Sequence, residues 1–196
     1  MIHRIEQDLV RKYSNKPHRL QHINGVRETA VYFGKQFNVD IEKLVIASLL
    51  HDITKYDDLT SQIKQITKFY PNSDEILQEF PQQLLHAFTA RIYAEQQYNI
   101  TDEEILNAIT SHTIGRPNMS IYEEIIFLAD YIEPTRTYMS CIETRELAHS
   151  NFTKAIYKAI DDSITHQEQQ QNRVPAQAYL AKTYYKQKLE EQTWTK

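Results

Sequence analysis

Histidine and aspartate recur in this sequence at places where their burial has to be explained. Asp52 follows the nearly continuous apolar stretch Leu44-Val45-Ile46-Ala47-Ser48-Leu49-Leu50 and then His51, and Asp130 follows Ile125-Ile126-Phe127-Leu128-Ala129. A carboxylate carried into a core by such neighbours is strongly unfavourable unless a cationic partner meets it. A metal ion is the simplest such partner. His22, His51, His86 and His112 supply imidazoles from other segments, and two carboxylates with several imidazoles make a mixed oxygen and nitrogen site suited to iron, manganese or zinc. Taken singly, a histidine among apolar neighbours is more often a hydrogen-bonded core residue than a ligand. The weight lies in the combination. His3, His149 and His166 read as surface or structural residues.

Other kinds of chemistry are excluded. The three glycines, Gly25, Gly34 and Gly115, form no G-x-G-x-x-G or G-x-x-x-x-G-K-[ST] pattern, so phosphate must be held by side chains and metal rather than by a glycine-rich loop. The lone Cys141 leaves no intramolecular disulfide and no cysteine-based zinc ribbon, which fits a reducing compartment. Lys and Arg total 22 against 26 Asp and Glu, a formal net charge of -4. That field repels a nucleic-acid backbone. The N-terminal residues lack the apolar core of a signal peptide, and Leu44 to Leu50 is far too short to span a bilayer. A cytoplasmic enzyme without a membrane or nucleic-acid partner is expected.

The elements that must position these residues read as helices, with no convincing alternation of period two. Ile23, Val26, Ala30, Phe33 and Phe37 recur at steps of three and four, predicting a helix over 17–37. Asp40 caps a central helix buried almost all round, which runs directly into His51-Asp52. Thr101 with Glu104, and Ser120 with Glu123, read as capping boxes opening helices that carry Ile105, Ile109 and His112, then Asp130. Further helices are expected around 3–13, 60–69, 84–98, 142–169 and 176–191. Residues 1–196 make a single all-α domain, with a metal-site core over about 18–136 and C-terminal helices over about 142–191 packed on it. Gln167 to Asn172 reads as a solvated helix end before Pro175, and Gly115 to Pro117 as a turn. Trp194 reads equally as packed or exposed. Of the 13 tyrosines, Tyr184 and Tyr185 or Tyr131 are candidates to stack on a nucleobase, while most read as packing residues between helices.

The order His, then His-Asp, then two further His, then Asp resembles the HD-domain phosphohydrolases. More narrowly, Ser111-His112-Thr113-Ile114-Gly115-Arg116-Pro117-Asn118-Met119-Ser120 and Phe127-Leu128-Ala129-Asp130-Tyr131-Ile132-Glu133-Pro134-Thr135-Arg136 are similar to the YqeK subfamily, the bacterial symmetrical bis(5'-nucleosyl)-tetraphosphatases. The resemblance runs from about His18 to Arg136, with a weaker tail.

That resemblance implies metal ligands at His22, His51, Asp52 and Asp130, with iron as the first expectation and manganese or zinc as alternatives. It places His86 and His112 against the substrate phosphates or a second metal, and Lys55 on a phosphate. Asp52, Lys55, His86 and His112 are therefore the candidate catalytic residues. Arg19, Thr113, Tyr131, Arg136 and, more loosely, Arg173 join Lys55, His86 and His112 as candidate substrate contacts. The implied substrate is diadenosine tetraphosphate or a related nucleotide polyphosphate, the product ADP, and a homodimer is a candidate assembly. Ile114 stands where the family usually has a second Thr, and Thr137-Tyr138-Met139-Ser140-Cys141 replaces an acidic-aromatic-Pro-Gly stretch. The same box would also serve hydrolysis of deoxynucleoside triphosphates, cyclic nucleotides or guanosine polyphosphates, or a nucleotide-binding regulatory module.

Overall fold

The computed structural model describes residues 1–194, with side chains described as far as Gln192. The side chain of Trp194 therefore lies outside the described residues. Every regular element among them is helical. The chain starts with α1 (Ile2–Lys12) and α2 (Pro17–Phe37). Pro17 suits the first turn of α2, where its missing N–H is not needed, and Asn38, at φ 52, closes it in a left-handed turn. The face predicted for α2 is buried from Ile23 to Phe33. Phe37, expected on that face, is 41% exposed and packs instead against Phe152 at a ring distance of 4.6 Å.

Asp40 accepts from the Glu42 amide and caps α3 (Ile41–Leu50). This central helix ends at His51, so His51 and Asp52 sit in the turns that follow. Next come α4 (Leu59–Phe69), the short α5 (Ser73–Glu79) and a 3-10 turn over Gln82–Leu84. Neither α5 nor the turn has an apolar period long enough to stand out in the sequence. α5 contributes Ile76 to a small satellite core of Ile66, Ile76, Leu85 and Phe88.

The central layer is completed by α6 (Leu85–Tyr98), α7 (Glu103–Ser111) and α8 (Ile121–Ile132). Asp102, rather than Thr101, caps α7 by accepting from the Glu104 amide at 2.9 Å. A carboxylate answers the partial positive charge of a helix N-terminus, which a hydroxyl does not. The capping box at Ser120 and Glu123 forms as expected. Glu123 is fully buried and also accepts from Ser111 and Arg116. Gly115, at φ +67, makes the turn between α7 and α8.

The single helix expected over 142–169 is two, α9 (Met139–Ser150) and α10 (Phe152–Gln169). Asn151 breaks it: its backbone is extended and its side chain accepts from the Lys154 amide, the local competition with the helix ladder that Asx residues offer. The final helix, α11 (Ala176–Trp194), docks on the core through fully buried Tyr185, which donates to Glu124 at 2.7 Å. One continuous apolar cluster joins α1, α2, α3 and α6 through α11, consistent with the all-α reading. Among the described residues no helix is long and apolar enough to cross a membrane.

Candidate metal centre and active site

Six side chains from five helices meet behind one cavity. His22 comes from α2, His51 and Asp52 from the end of α3, His86 from the first turn of α6, His112 from the end of α7 and Asp130 from α8. His22 Nε2 lies 3.0 Å from Asp130 Oδ1, 3.7 Å from Asp52 Oδ2 and 3.4 Å from His51 Nε2. Asp52 Oδ1 lies 3.1 Å from His86 Nε2 and 3.6 Å from His112 Nε2. In each of two overlapping trios, His22-His51-Asp130 and His51-Asp52-His112, the donor atoms all lie within 4.8 Å of one another.

The tautomers follow from the backbone. His51 Nδ1 is 2.6 Å from the Ser48 carbonyl, His86 Nδ1 2.9 Å from that of Gln83, and His112 Nδ1 2.7 Å from that of Ile109. A carbonyl only accepts, so each Nδ1 donates, and a ring in its neutral form turns an Nε2 lone pair inward. These lone pairs crowd one another, with His86 and His112 Nε2 only 3.2 Å apart. Asp52 Oδ1 is buried and takes no hydrogen bond from the described residues. Converging acceptors beside an orphaned carboxylate oxygen are what a cation resolves, so the donor set fits a metal ion.

Burial opposes ionisation of Asp52, yet the surrounding His51, His112 and His86 imidazoles hold its carboxyl well below the usual range. Burial likewise opposes ionisation of Asp130, and His22 and Arg136 overcome it. Burial pushes His51 down to about 3. Burial also carries His86 down to about 4, with Lys55 and His112 adding to the effect and Asp52 resisting it. His22 is opposite: burial disfavours its charge, but Asp130 and Glu133 raise it to about 9. Asp130 keeps about 20% of its side chain exposed, opening onto the cavity, where Asp52 is closed in at 4%.

The cavity has a volume of about 660 Å³, and Asp52, His112 and Asp130 lie in its wall with Arg19, Lys55 and Arg136. Arg19 is ion-paired to Asp52 Oδ2, Lys55 Nζ lies 3.2 Å from His86 Nε2, and Arg136 reaches Asp130 at 3.2 Å. Among the described residues of the wall, these three are its lysine and arginine side chains. Thr113 and Tyr131 also line it, the Tyr131 hydroxyl donating to Asp162 at 3.0 Å. His22, His51 and His86 lie behind the wall rather than in it. Arg173 is exposed and is not one of the lining residues, although its neighbours Val174 and Pro175 are.

Some contributors escaped the sequence. Gln167, Gln169 and His166, read as solvated or surface residues, wall the cavity from the last turns of α10. Ile114 and the atypical Tyr138, Ser140 and Cys141 line it too. Tyr138 is 73% exposed, while Cys141 is buried in the first turn of α9. Glu133 is fully buried with Oε1 3.0 Å from His22 Nδ1. Its one sequence signal is its place three residues beyond Asp130, at the residue that caps the end of α8.

Imidazoles and carboxylates gathered behind a cationic cavity in a purely helical frame define a metal-dependent hydrolase. The chain belongs to the HD domain family, whose model matches residues 19–135. It is similar to the symmetrical bis(5'-nucleosyl)-tetraphosphatase of Halalkalibacterium halodurans, 38% identical over 148 residues that cover 76% of this chain and 78% of that one. The protein of the same description from Staphylococcus aureus is 37% identical over 142 residues, covering 71% and 72%. The crystal structure of a predicted HD superfamily hydrolase involved in NAD metabolism from Clostridium acetobutylicum superimposes with a TM-score of 0.88 at 34% identity, covering 96% of this chain and 98% of that one.

Proposed function

We propose that this chain hydrolyses diadenosine tetraphosphate and related dinucleoside polyphosphates symmetrically, releasing two nucleoside diphosphates. The observation that carries the reading is the His-Asp cage opening into a cavity whose fixed cations are Arg19, Lys55 and Arg136. Relatives described as symmetrical tetraphosphatases, matched over more than two thirds of both chains, support the substrate and the bond cleaved.

His22, His51, Asp52 and Asp130 would hold the metal, iron being the first expectation and manganese or zinc the alternatives. When bound, the metal supplies a Lewis acid that neutralises phosphate charge and acidifies water. Lys55 and Arg136 bind phosphate oxygens and stabilise charge in an in-line displacement, and Arg19 adds a third cation beside Asp52. Asp52 has two oxygens for two tasks, ligating the metal and orienting the attacking water. His112 and Thr113 meet the phosphates from the end of α7, with His86 behind them. Tyr131 lies on the nucleoside side, while Arg173 would need to turn inward from its exposed position to reach substrate.

Incubation with diadenosine tetraphosphate and iron, manganese or zinc, followed by separation of the nucleotides, tests this. ADP as the sole product supports it. ATP with AMP would move the attack to a different phosphate. Untouched substrate beside a hydrolysed deoxynucleoside triphosphate, cyclic nucleotide or guanosine polyphosphate would transfer the activity to that class.

A further inference from the structure

His22 is held differently from the other imidazoles of the cage. His51 and His112 end α3 and α7, and His86 opens α6 just after a 3-10 turn. At such ends a carbonyl three residues earlier is within reach of Nδ1, and all three histidines use it. His22 lies inside α2, where the carbonyls of the preceding turn are engaged by the helix itself. The backbone offers it nothing, and a side chain from another helix takes that place. Glu133 Oε1, from the residue that caps α8, sits 3.0 Å from His22 Nδ1, while Asp130, in the last turn of α8, sits 3.0 Å from Nε2.

Glu133 is itself fixed. Its carboxylate accepts from the Thr135 amide at 2.7 Å and from the Thr135 hydroxyl. Arg145 on α9 donates to the carbonyls of Ile132, Glu133 and Arg136 at 2.6, 2.8 and 2.9 Å, clamping the backbone around it. Gly25, three residues along α2 from His22, lets the carboxylate approach: a Cβ there would fall well inside van der Waals distance of Glu133 Oε2.

We infer that Glu133 is a positioning residue of the metal centre, fixing the His22 ring with Nδ1 donating and Nε2 directed into the cage, and that Gly25 is the opening through which it acts. The inference rests on the metal-site reading above. A carboxylate behind a ligating imidazole fixes its tautomer and orientation and raises its basicity, and losing such a partner weakens metal binding by about 10–100-fold.

The test compares wild type with Glu133→Gln, Glu133→Ala and Gly25→Ala. Zinc affinity is measured by competition with a chromophoric chelator, the folded state by circular dichroism and melting of the metal-free protein, and the His22 ring by nitrogen NMR of the zinc-loaded protein. Glu133→Ala is expected to bind zinc about 10–100-fold more weakly and to lose the fixed Nδ1–H. Glu133→Gln, whose amide oxygen still accepts that proton, loses less. Gly25→Ala weakens zinc binding with Glu133 intact, and keeps the test alive should Glu133→Ala not fold. Wild-type zinc affinity in folded Glu133→Ala, or in folded Gly25→Ala should Glu133→Ala not fold, overturns the inference alone. A wild type that takes up no zinc, iron or manganese overturns the metal-site reading and this inference with it.

Discussion

Asp52 Oδ1 stands 3.1 Å from His86 Nε2, while the other oxygen of the same carboxylate turns toward His22 and His51 at 3.7 and 3.6 Å. One side chain thus joins the two halves of the cage. Asp52→Asn keeps the shape and removes the charge that attracts a cation. Metal content measured by atomic emission should fall to background, and turnover should drop by more than about 10²-fold, since partners behind a ligand alone are worth about 10–100-fold. Full metal occupancy in this variant would remove Asp52 from the ligand set.

Lys55 reaches into the cavity from the turn after α3, one helical turn beyond Asp52. In Lys55→Ala the cage is untouched, so bound metal should stay at the wild-type level. Charge stabilisation by one positioned donor is worth about 10²–10³-fold, and kcat should fall by that order with a smaller change in KM. A pure rise in KM would make Lys55 a binding group without a role in the reaction step.

Removal of metal should be visible without any substrate. A ligand present at 100 times its Kd stabilises the folded state by about 2.7 kcal/mol, and a domain of this size shifts its midpoint by about 2–4 °C per kcal/mol. Treatment with a chelator should therefore lower Tm by roughly 5–10 °C, and manganese or iron should restore it. Coincident melts before and after chelation, in protein shown to have carried metal, would mean that the cage forms equally well without it.

Away from the site, Asp102 at the start of α7 is paired with Lys43 at 2.8 Å. That ammonium, assisted against burial by the Glu104 amide, holds the Asp102 carboxyl below its ordinary value of 3.8. A depressed carboxylate contributes stability that is fully present above its unfolded-state value and is lost as pH falls through its folded-state value. Asn can still cap the helix, so Asp102→Asn isolates the charge. The variant should melt below wild type at pH 7 by an amount equivalent to about 0.3–1 kcal/mol, and the two melts should converge as pH drops below about 4. A gap that stays constant with pH would show that the carboxylate charge contributes nothing.

The sequence by itself determined the residue types and the helical frame. The apolar spacing from Ile23 to Phe33 sets α2, Asp40 and Ser120 mark real starts, and the apolar runs before Asp52 and Asp130 deliver both carboxylates to one centre. These are local signals, carried by neighbours within a turn or two. The break at Asn151, the choice of Asp102 over Thr101 as cap, and α5 were harder to read, because each turns on a single side chain competing for backbone amides or on a segment too short to show a period. Tertiary structure alone decided which imidazole nitrogens face inward, that the end of α10 walls the cavity, and that Glu133 stands behind His22 from 111 residues away. The physical reason is the same in each case: hydrogen bonds and ion pairs between helices depend on crossing geometry and on the room left by residues such as Gly25, and neither is encoded in the spacing of one segment.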